Sequence, residues 1–558
     1  MRIRNTRGLD RIGFLFRLTP ALLAALIVGL GAPSAYAKAS VKRVLLISID
    51  GMHAVDLQNC INGVENTPPF CPNLAALAQD GINYPNASTS RPSDSFPGLL
   101  SIVTGGSPFS AEIFYDDSYD RSLAPPQTPN NGINNGVTGQ SCVAGTPGPG
   151  TELKYDESLD TNWDHVAGVS TNINVPAPGI ATTNLARDPM NNCSPVYPHN
   201  LMKVNTIFEV VKAAGGHTAW SDKHPAYDLV NGPSGTGVDD LFTPEINSSV
   251  SAIPGVSVPG LSCDKAAPDP DVADWTSSFK DIKCYDQYKV NAILNEIQGN
   301  SSTGQDIGTV PTLFGLNFQA VSVGQKLVQK VDVVTTITGG YQDAAGNPSS
   351  SLLGEIQFVD NAIGQMVAEL KSQHLFDSTL ILITAKHGQA PIDPALVNKP
   401  GDVVSPVLAN AGVNLVQVTE DDIALLWLEN QGQTSTAVTA LQANAAEIFL
   451  DTLYSGKSLL KLFQNPLTDP RTPDIIVKPT LGTIYTTSTK KIAEHGGFSA
   501  DDTNVMLLAS NPSINGRSIN AKVSTQQIAP SILSQLGLDP KSLQAVTIEN
   551  VPALPGLR

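Results

Sequence analysis

Several stretches of the sequence are apolar, rich in β-branched residues and closed by a polar residue. The first runs from Val44 to Ile49 and is followed by Asp50 and Gly51. A continuous apolar run of this kind is typical of a parallel strand that is buried on both faces. The same pattern predicts further strands at residues 217–220, 311–318, 379–384, 423–428, 474–477 and 505–508.

Between these strands, apolar residues recur at helical spacing. The clearest helix covers residues 352–371 and carries its apolar side chains on one face, which indicates packing against a core. Strands that alternate with helices predict an α/β fold with a central, mostly parallel sheet flanked by helices. The other predicted helices are 72–78, 95–104, 204–214, 287–297, 436–450 and 525–536.

Two positions in this pattern are placed where chemistry is expected. Asp50 stands at the carboxyl end of a predicted strand, which is where open α/β sheets bind ligands. Ser95 precedes Phe96, Pro97 and Gly98 at the predicted start of a helix. We expect unpaired amide donors there, and these would suit a phosphoryl or sulfuryl oxyanion.

The order of four short motifs resembles one known family. These motifs are Ile49-Asp50-Gly51, Ser95-Phe96-Pro97, Ile383-Thr384-Ala385-Lys386-His387-Gly388 and His495-Gly496-Gly497. Their order and strand-end contexts resemble the type I phosphodiesterase and nucleotide pyrophosphatase branch of the alkaline phosphatase superfamily. The resemblance implies an alkaline phosphatase-like α/β fold with inserted subdomains. It also implies metal-dependent hydrolysis of phosphodiesters or related phosphate esters through a covalent Ser95 intermediate.

The sequence departs from the family at several ligand positions. Lys386 stands where the family usually has an aspartate. Gln319 and Val323 fall near the positions where the two-zinc members carry an aspartate and a histidine, and neither is a good zinc ligand. Asp116 takes the place of an asparagine that helps to hold the oxyanion in the family.

The resemblance and these departures together predict a site with one divalent metal ion. Asp50, Ser95, His387 and His495 are its predicted ligands, and the charge of Lys386 replaces the second ion. His and Asp ligands suit zinc, with manganese or calcium as alternatives. The predicted catalytic residues are Ser95, Lys386 and His495, of which the histidine either completes the metal site or acts as a general acid.

Three further residues are predicted to bind the substrate. Asp116 follows the nucleophile segment, and Asp222 and His224 follow a short predicted strand. For the latter two, the alternative interpretation is a polar surface loop.

Two other functions are compatible with the sequence. The first is a secreted binding protein that kept the fold after losing metal ligands, which the departures at Gln319, Val323, Lys386 and Asp116 favour. The second is a sulfatase or phosphonate-type ester hydrolase. The Cys-x-Pro-x-Arg or Ser-x-Pro-x-Arg signal of sulfatases is absent around Ser95, which disfavours that reading.

Charge and cysteine content narrow the class of protein. The formal net charge of −17 argues against general nucleic-acid binding and against an anionic membrane partner. A small phosphate ester is not excluded, because local cations can dominate the field at a site. Six cysteines fit an oxidising compartment, and sequential pairing is the simplest of several possible connectivities. In that pairing the bridges are Cys60–Cys71, Cys142–Cys193 and Cys263–Cys284.

The start of the chain has the pattern of an export signal. Several arginines precede the apolar run Ala21–Leu30, and Ala35-Tyr36-Ala37 offers a cleavage site. We therefore predict a signal peptide at residues 1–37 and a hydrolase domain at 38–558, secreted or periplasmic and without a membrane anchor. That domain is expected to contain a loop-rich insertion at about 121–200 and an inserted subdomain at about 390–490. No motif indicates the substrate's identity or the oligomeric state.

Overall fold

A computed structural model describes residues 41–127, 142–160, 179–248, 253, 255–263, 274–332 and 334–557. The predicted signal peptide and part of the predicted insertion at 121–200 lie outside these residues.

The first predicted strand lies in the middle of a mixed eight-stranded sheet. Arg43–Ile49 pairs in parallel with Leu313–Phe318 on one side and with Thr379–Thr384 on the other. Its side chains alternate between two apolar clusters, with Val44 in one and Leu45 in the other. Burial on both faces explains the continuous apolar run and confirms the interpretation of this segment. Across the sheet the strands follow the order Arg517–Ser518, Gly81–Asn83, Leu507–Ser510, Thr379–Thr384, Arg43–Ile49, Leu313–Phe318, Ala219–Ser221 and Asp240–Phe242.

The sheet is mostly parallel, as predicted, with one strand reversed. Leu507–Ser510 pairs antiparallel with both of its neighbours, Thr379–Thr384 and Gly81–Asn83. All other pairs in this sheet are parallel. The carboxyl ends of the central parallel strands therefore meet at one edge, where a ligand site is expected.

Helices cover both faces of the sheet. Ser95–Thr104 and Ile528–Gln535 pack on one face, and Phe279–Ile297 and Ser350–Ser372 pack on the other. The longest of these helices agrees closely with its prediction from apolar spacing. The α-helices are Ala54–Asn62, Pro72–Gln79, Ser95–Thr104, Pro108–Ala111, Ile207–Ala213, Phe279–Ile297, Ala320–Lys326, Ser350–Ser372, Val404–Asn410, Thr434–Ala443, Ala500–Thr503, Ile528–Gln535 and Gln544–Glu549.

A second sheet with its own apolar core lies within residues 404–485. Its four antiparallel strands follow the order Leu415–Glu420, Ala424–Leu428, Ile475–Pro479 and Leu450–Ser455. The predicted helix 436–450 is too long, because the helix ends at Ala443 and Leu450 already pairs with Pro479. The short strands outside both sheets are Ala87–Ser88, Asp117–Asp120, Thr151–Lys154, Arg187–Asp188, Ser194–Pro195, Val328–Lys330, Thr336–Thr338 and Val523–Ser524.

All six cysteines form disulfides, and the pairing is sequential. The bridges are Cys60–Cys71, Cys142–Cys193 and Cys263–Cys284. The spacing alone left other connectivities open. In the part of the chain that the structure describes, no helix is long and apolar enough to cross a membrane.

Candidate active site

Neighbouring strands of the central sheet bring polar residues to one edge. Asp50 follows the central strand directly, and Lys386 and His387 come shortly after the strand on one side. Gln319 follows the strand on the other side, and Lys223 comes after the next strand along. Strand order, rather than proximity in sequence, therefore brings these side chains together.

Ser95 is the first residue of its helix and faces this edge. Its Oγ lies 3.2 Å from His387 Nε2, and Lys223 Nζ donates to the same oxygen at 3.2 Å. The residue is only 2% exposed. Gly98, one turn into the helix, makes this approach possible, because a Cβ there would lie 2.1 Å from the Lys386 carbonyl oxygen.

The amides at the start of this helix are not free, in contrast to our expectation. Asp94 caps the helix and accepts from Phe96 N–H at 3.1 Å. Pro97 has no N–H, and Gly98 N–H donates to the Asp94 carbonyl oxygen at 2.9 Å. Positive charge for an oxyanion must therefore come from side chains.

The hydrogen bonds of His387 fix its tautomer. Nδ1 lies 2.8 Å from the carbonyl oxygen of Gly388, which can only accept a hydrogen bond. In the neutral ring Nδ1 therefore carries the proton, and Nε2 presents its lone pair to Ser95 Oγ. The carboxylate of Asp50 lies 3.6 Å from the same Nε2.

Asp50 is fully buried in a setting that favours its charged form. Its Oδ2 accepts hydrogen bonds from Asn317 Nδ2 at 3.1 Å and Gln319 Nε2 at 2.5 Å, while Oδ1 has no hydrogen-bond partner among the described residues. Burial opposes ionisation of the carboxyl. The charges of Lys386, His387 and Lys223 outweigh burial and hold its pKa well below the ordinary value.

Lys386 forms a buried ion pair with Asp222. Its Nζ donates to both carboxylate oxygens at 2.9 Å and lies 4.1 Å from the centre of the Tyr227 ring. Burial lowers the pKa of Lys386, and the charges of Asp222 and Asp50 limit that effect. The ammonium of Lys386 is therefore paired with the carboxylate of Asp222.

His495 lies at the other side of His387. The two imidazole rings have centroids 4.0 Å apart, and His495 Nδ1 lies 3.7 Å from Asp94 Oδ2. Burial and the charge of His387 hold the pKa of His495 well below its ordinary value, so the ring is neutral near pH 7.

The three predicted substrate residues lie in different surroundings. Asp222 is buried beneath Lys386, so as arranged it positions the lysine and does not face a substrate. His224 pairs with the buried Glu245 at 2.7 Å. Asp116 lies close enough to Asp94 to influence its ionisation. Burial raises the pKa of Asp116, an effect that Lys223 opposes.

The residues present do not fit the predicted metal ion. Asp50 and His387 could ligate an ion at Ser95, but no group of three or more His, Cys, Asp or Glu side chains within the described ranges is arranged to hold one. Lys223 Nζ also lies 3.8 Å from Asp50 Oδ2 and already contacts Ser95 Oγ. An ammonium ion on these two oxygens opposes the binding of a divalent cation by charge and by space.

Reasoning from the sequence missed Lys223, although it singled out the residues on both sides of it. A single lysine in a polar loop has no periodicity or motif that distinguishes it from a solvated residue. Only the order of strands in the sheet places it beside Ser95. Its position at a strand end is the one signal that could have indicated it.

Comparison with known proteins agrees with this architecture. Residues 44–499 match the family model of type I phosphodiesterase / nucleotide pyrophosphatase. The fold is similar to human ectonucleotide pyrophosphatase/phosphodiesterase 5, with 14% identity, 92% of this chain and 96% of that chain covered, and a TM-score of 0.50. It is also similar to alkaline phosphatase PafA, with 13% identity, coverage of 90% and 96%, and a TM-score of 0.53. No curated protein matches the sequence. The chain therefore belongs to the type I phosphodiesterase/nucleotide pyrophosphatase family, and its fold is similar to that of an alkaline phosphatase.

Proposed function

We propose that this protein hydrolyses phosphodiesters or related phosphate esters of small molecules through a covalent intermediate on Ser95. One observation carries the proposal: Ser95 Oγ contacts both a histidine nitrogen and a lysine ammonium at the start of a helix. A free serine hydroxyl is a weak nucleophile, and an adjacent base activates it.

The residues around Ser95 can perform the first half of the reaction. Ser95 Oγ attacks phosphorus, and its proton passes to Nε2 of neutral His387, the nitrogen that carries the lone pair in that form. The charge of Asp50, 3.6 Å away, stabilises the imidazolium that results. The bond from phosphorus to the leaving oxygen breaks, and water supplies the proton that this oxygen requires, because His495 is neutral near pH 7. Water then attacks phosphorus, the bond from phosphorus to Ser95 Oγ breaks, and His387 returns its proton to that oxygen.

We propose a supporting role for Lys386 and a substrate role for Asp116 and His224. Lys386, held by Asp222, contributes positive charge near Asp50. The zinc ion that the resemblance implies, with manganese or calcium as alternatives, stays a prediction, and the described ligand set gives it no support. No step above uses it.

We also propose that the mature protein is secreted or periplasmic. Its three disulfides support an oxidising compartment. The predicted signal peptide supports the same location.

The test is turnover of a chromogenic phosphodiester by Ser95→Ala. We expect a loss of about 10³-fold or more, and acid quenching of the wild type should trap phosphate on Ser95, detectable by mass spectrometry. Ser101→Ala is the matched control. This serine lies on the same helix, but its hydroxyl is hydrogen-bonded to Thr525 Oγ1, at 2.7 Å, and not to a residue of the site. A wild type that binds the ester without turning it over would support the binding-protein alternative.

A further inference from the structure

Lys223 lies between the two oxygens that a metal ion at this site would join. Its Nζ is 3.2 Å from Ser95 Oγ and 3.8 Å from Asp50 Oδ2. We propose that Lys223 is a catalytic residue whose ammonium replaces a metal ion at Ser95, so that the site works without one. This inference rests on the proposed function and adds the source of its positive charge.

The backbone of Lys223 is fixed at the edge of the sheet. Its N–H donates to Asp222 Oδ1 at 3.0 Å, and its carbonyl oxygen accepts from Ile246 N–H at 3.0 Å. The strand Ala219–Ser221 immediately before it is hydrogen-bonded to strands on both sides. The side chain therefore starts from a rigid position, which favours a defined place for its ammonium.

The two lysines of the site differ in what they can reach. Lys386 is fully buried and occupied by both oxygens of Asp222. The side chain of Lys223 is 15% exposed, and Asp50 lies further from its ammonium than Ser95 does. An ammonium has three donors, so Lys223 can contact Ser95 and Asp50 and still donate to an oxygen of the phosphoryl group.

An ammonium at this position suits the charge changes of the reaction. As Ser95 Oγ forms its bond to phosphorus and the leaving oxygen departs with the electron pair, negative charge spreads over the non-bridging oxygens. Lys223 stabilises that charge through a direct hydrogen bond, the task that a metal ion performs in metal-dependent phosphoryl transfer. The helix amides do not supply it, since Asp94 occupies them.

Side chains of the protein supply the hydrogen bonds and the positive charge that Asp50 would otherwise receive from a metal ion. Asn317 and Gln319 donate to Oδ2, and the nearby Lys223 balances the carboxylate charge. Gln319 stands near a position where the resemblance led us to expect a metal-binding aspartate, and here it is a hydrogen-bond donor. Gln319 and Lys386 both stand where the resemblance implies an aspartate, so the region lacks two carboxylates that would attract a metal cation.

The experiment combines metal binding with turnover on the full exported chain. Zinc chloride is titrated into chelator-treated protein by calorimetry, and elemental analysis measures the metal content before treatment. Wild type, Lys223→Gln, Lys223→Arg and Asp50→Asn are compared, and Lys203→Gln serves as a control because this lysine is exposed and 3.7 Å from Glu112. Thermal melting shows which variants fold.

We expect no stoichiometric zinc in the wild type, and a chelator should leave its turnover unchanged. Lys223→Gln should lower turnover about 10²- to 10³-fold, Lys223→Arg less, and Lys203→Gln not at all. About one zinc per chain in the wild type, lost in Asp50→Asn, would overturn the inference. Turnover by folded Lys223→Gln equal to that of the wild type would also overturn it. If Ser95→Ala were fully active, the proposed function would fail, while the zinc titration would still decide whether the ammonium excludes a metal ion.

Discussion

Lys386 Nζ donates to both carboxylate oxygens of Asp222, at 2.9 Å each, and neither side chain is exposed to solvent. Removing one partner leaves the other charge buried without compensation. We predict that Asp222→Asn and Lys386→Met each lower the free energy of unfolding by about 3–5 kcal/mol. Denaturant melts of the two single variants and the double variant measure the coupling between the residues.

The pair Lys478–Asp451 on the second sheet, whose side chains are 22% and 44% exposed, is the matched control. Its coupling should be no more than about 1 kcal/mol, because solvent screens exposed charges. Equal coupling for the two pairs would contradict the role that burial has in this prediction.

Gly98 lets the Ser95 helix approach the strand end that carries Lys386. We predict that Gly98→Ala lowers the free energy of unfolding by about 2 kcal/mol and also lowers turnover, since the helix must move away from the Lys386 carbonyl oxygen. Gly354→Ala is the control: a Cβ there meets nothing nearer than Lys283 Nζ at 3.5 Å, and alanine should stabilise that helix slightly. A stable, fully active Gly98→Ala would show that the contact can relax.

Glu355 should make stability depend on pH. Its carboxyl is buried 3.0 Å from Lys283 Nζ, and burial, only partly offset by that lysine, raises its pKa to about 8. Because the pKa is higher in the folded state, folding stability is greatest below the unfolded-state pKa of about 4.3. It falls as the pH rises from there towards 8, where the folded protein also loses the proton.

We therefore predict that Glu355→Gln is neutral at pH 5 and stabilises the protein by about 2 kcal/mol at pH 9, measured by urea denaturation at both values. Glu369→Gln, on the same helix but only partly buried, is the control, because the pKa of Glu369 is lowered by a hydrogen bond from Gln373. A gain that is equal at both pH values would exclude this explanation.

The charge around Ser95 favours a substrate with one negative charge. Lys223 supplies one accessible positive charge, and Lys386 is paired with Asp222. Among the described residues no second unpaired ammonium contacts Ser95, so a second negative charge on the substrate would have no positive charge of its own to pair with. We predict that kcat/KM for bis(p-nitrophenyl) phosphate exceeds that for p-nitrophenyl phosphate by about tenfold or more at pH 7. The opposite preference would show that additional cations reach the phosphoryl group.

Local patterns in the sequence predicted the elements that have one dominant environment. The strand Arg43–Ile49 is buried on both faces and the helix Ser350–Ser372 on one, so the period of their apolar residues was sufficient. Elements whose secondary structure depends on pairing with residues distant in sequence were harder to predict. Leu450 extends the helical pattern of the preceding segment, yet it lies in a strand because Pro479 pairs with it.

The same distinction applies to the candidate site. Asp50, Ser95 and His387 were predicted because each stands in a motif at the end or start of an element, and the structure brings them together. Lys223 was missed because its position beside Ser95 depends on the order of the strands in the sheet. The predicted metal ion followed from the resemblance and from the departures at its ligand positions, and neither indicated the ammonium beside Ser95.

The edge of the central sheet has a consequence for how such a site can change during evolution. Asp50, Gln319, Lys223, Lys386 and His387 all stand just beyond the ends of strands whose interiors are apolar and fully buried. Point substitutions there can replace a bound metal ion by the ammonium of a lysine, or the reverse, without disturbing the packing that holds the strands in place. The scaffold can therefore survive a change of catalytic apparatus, and relatives of the same architecture should differ in metal requirement according to a few residues at this edge.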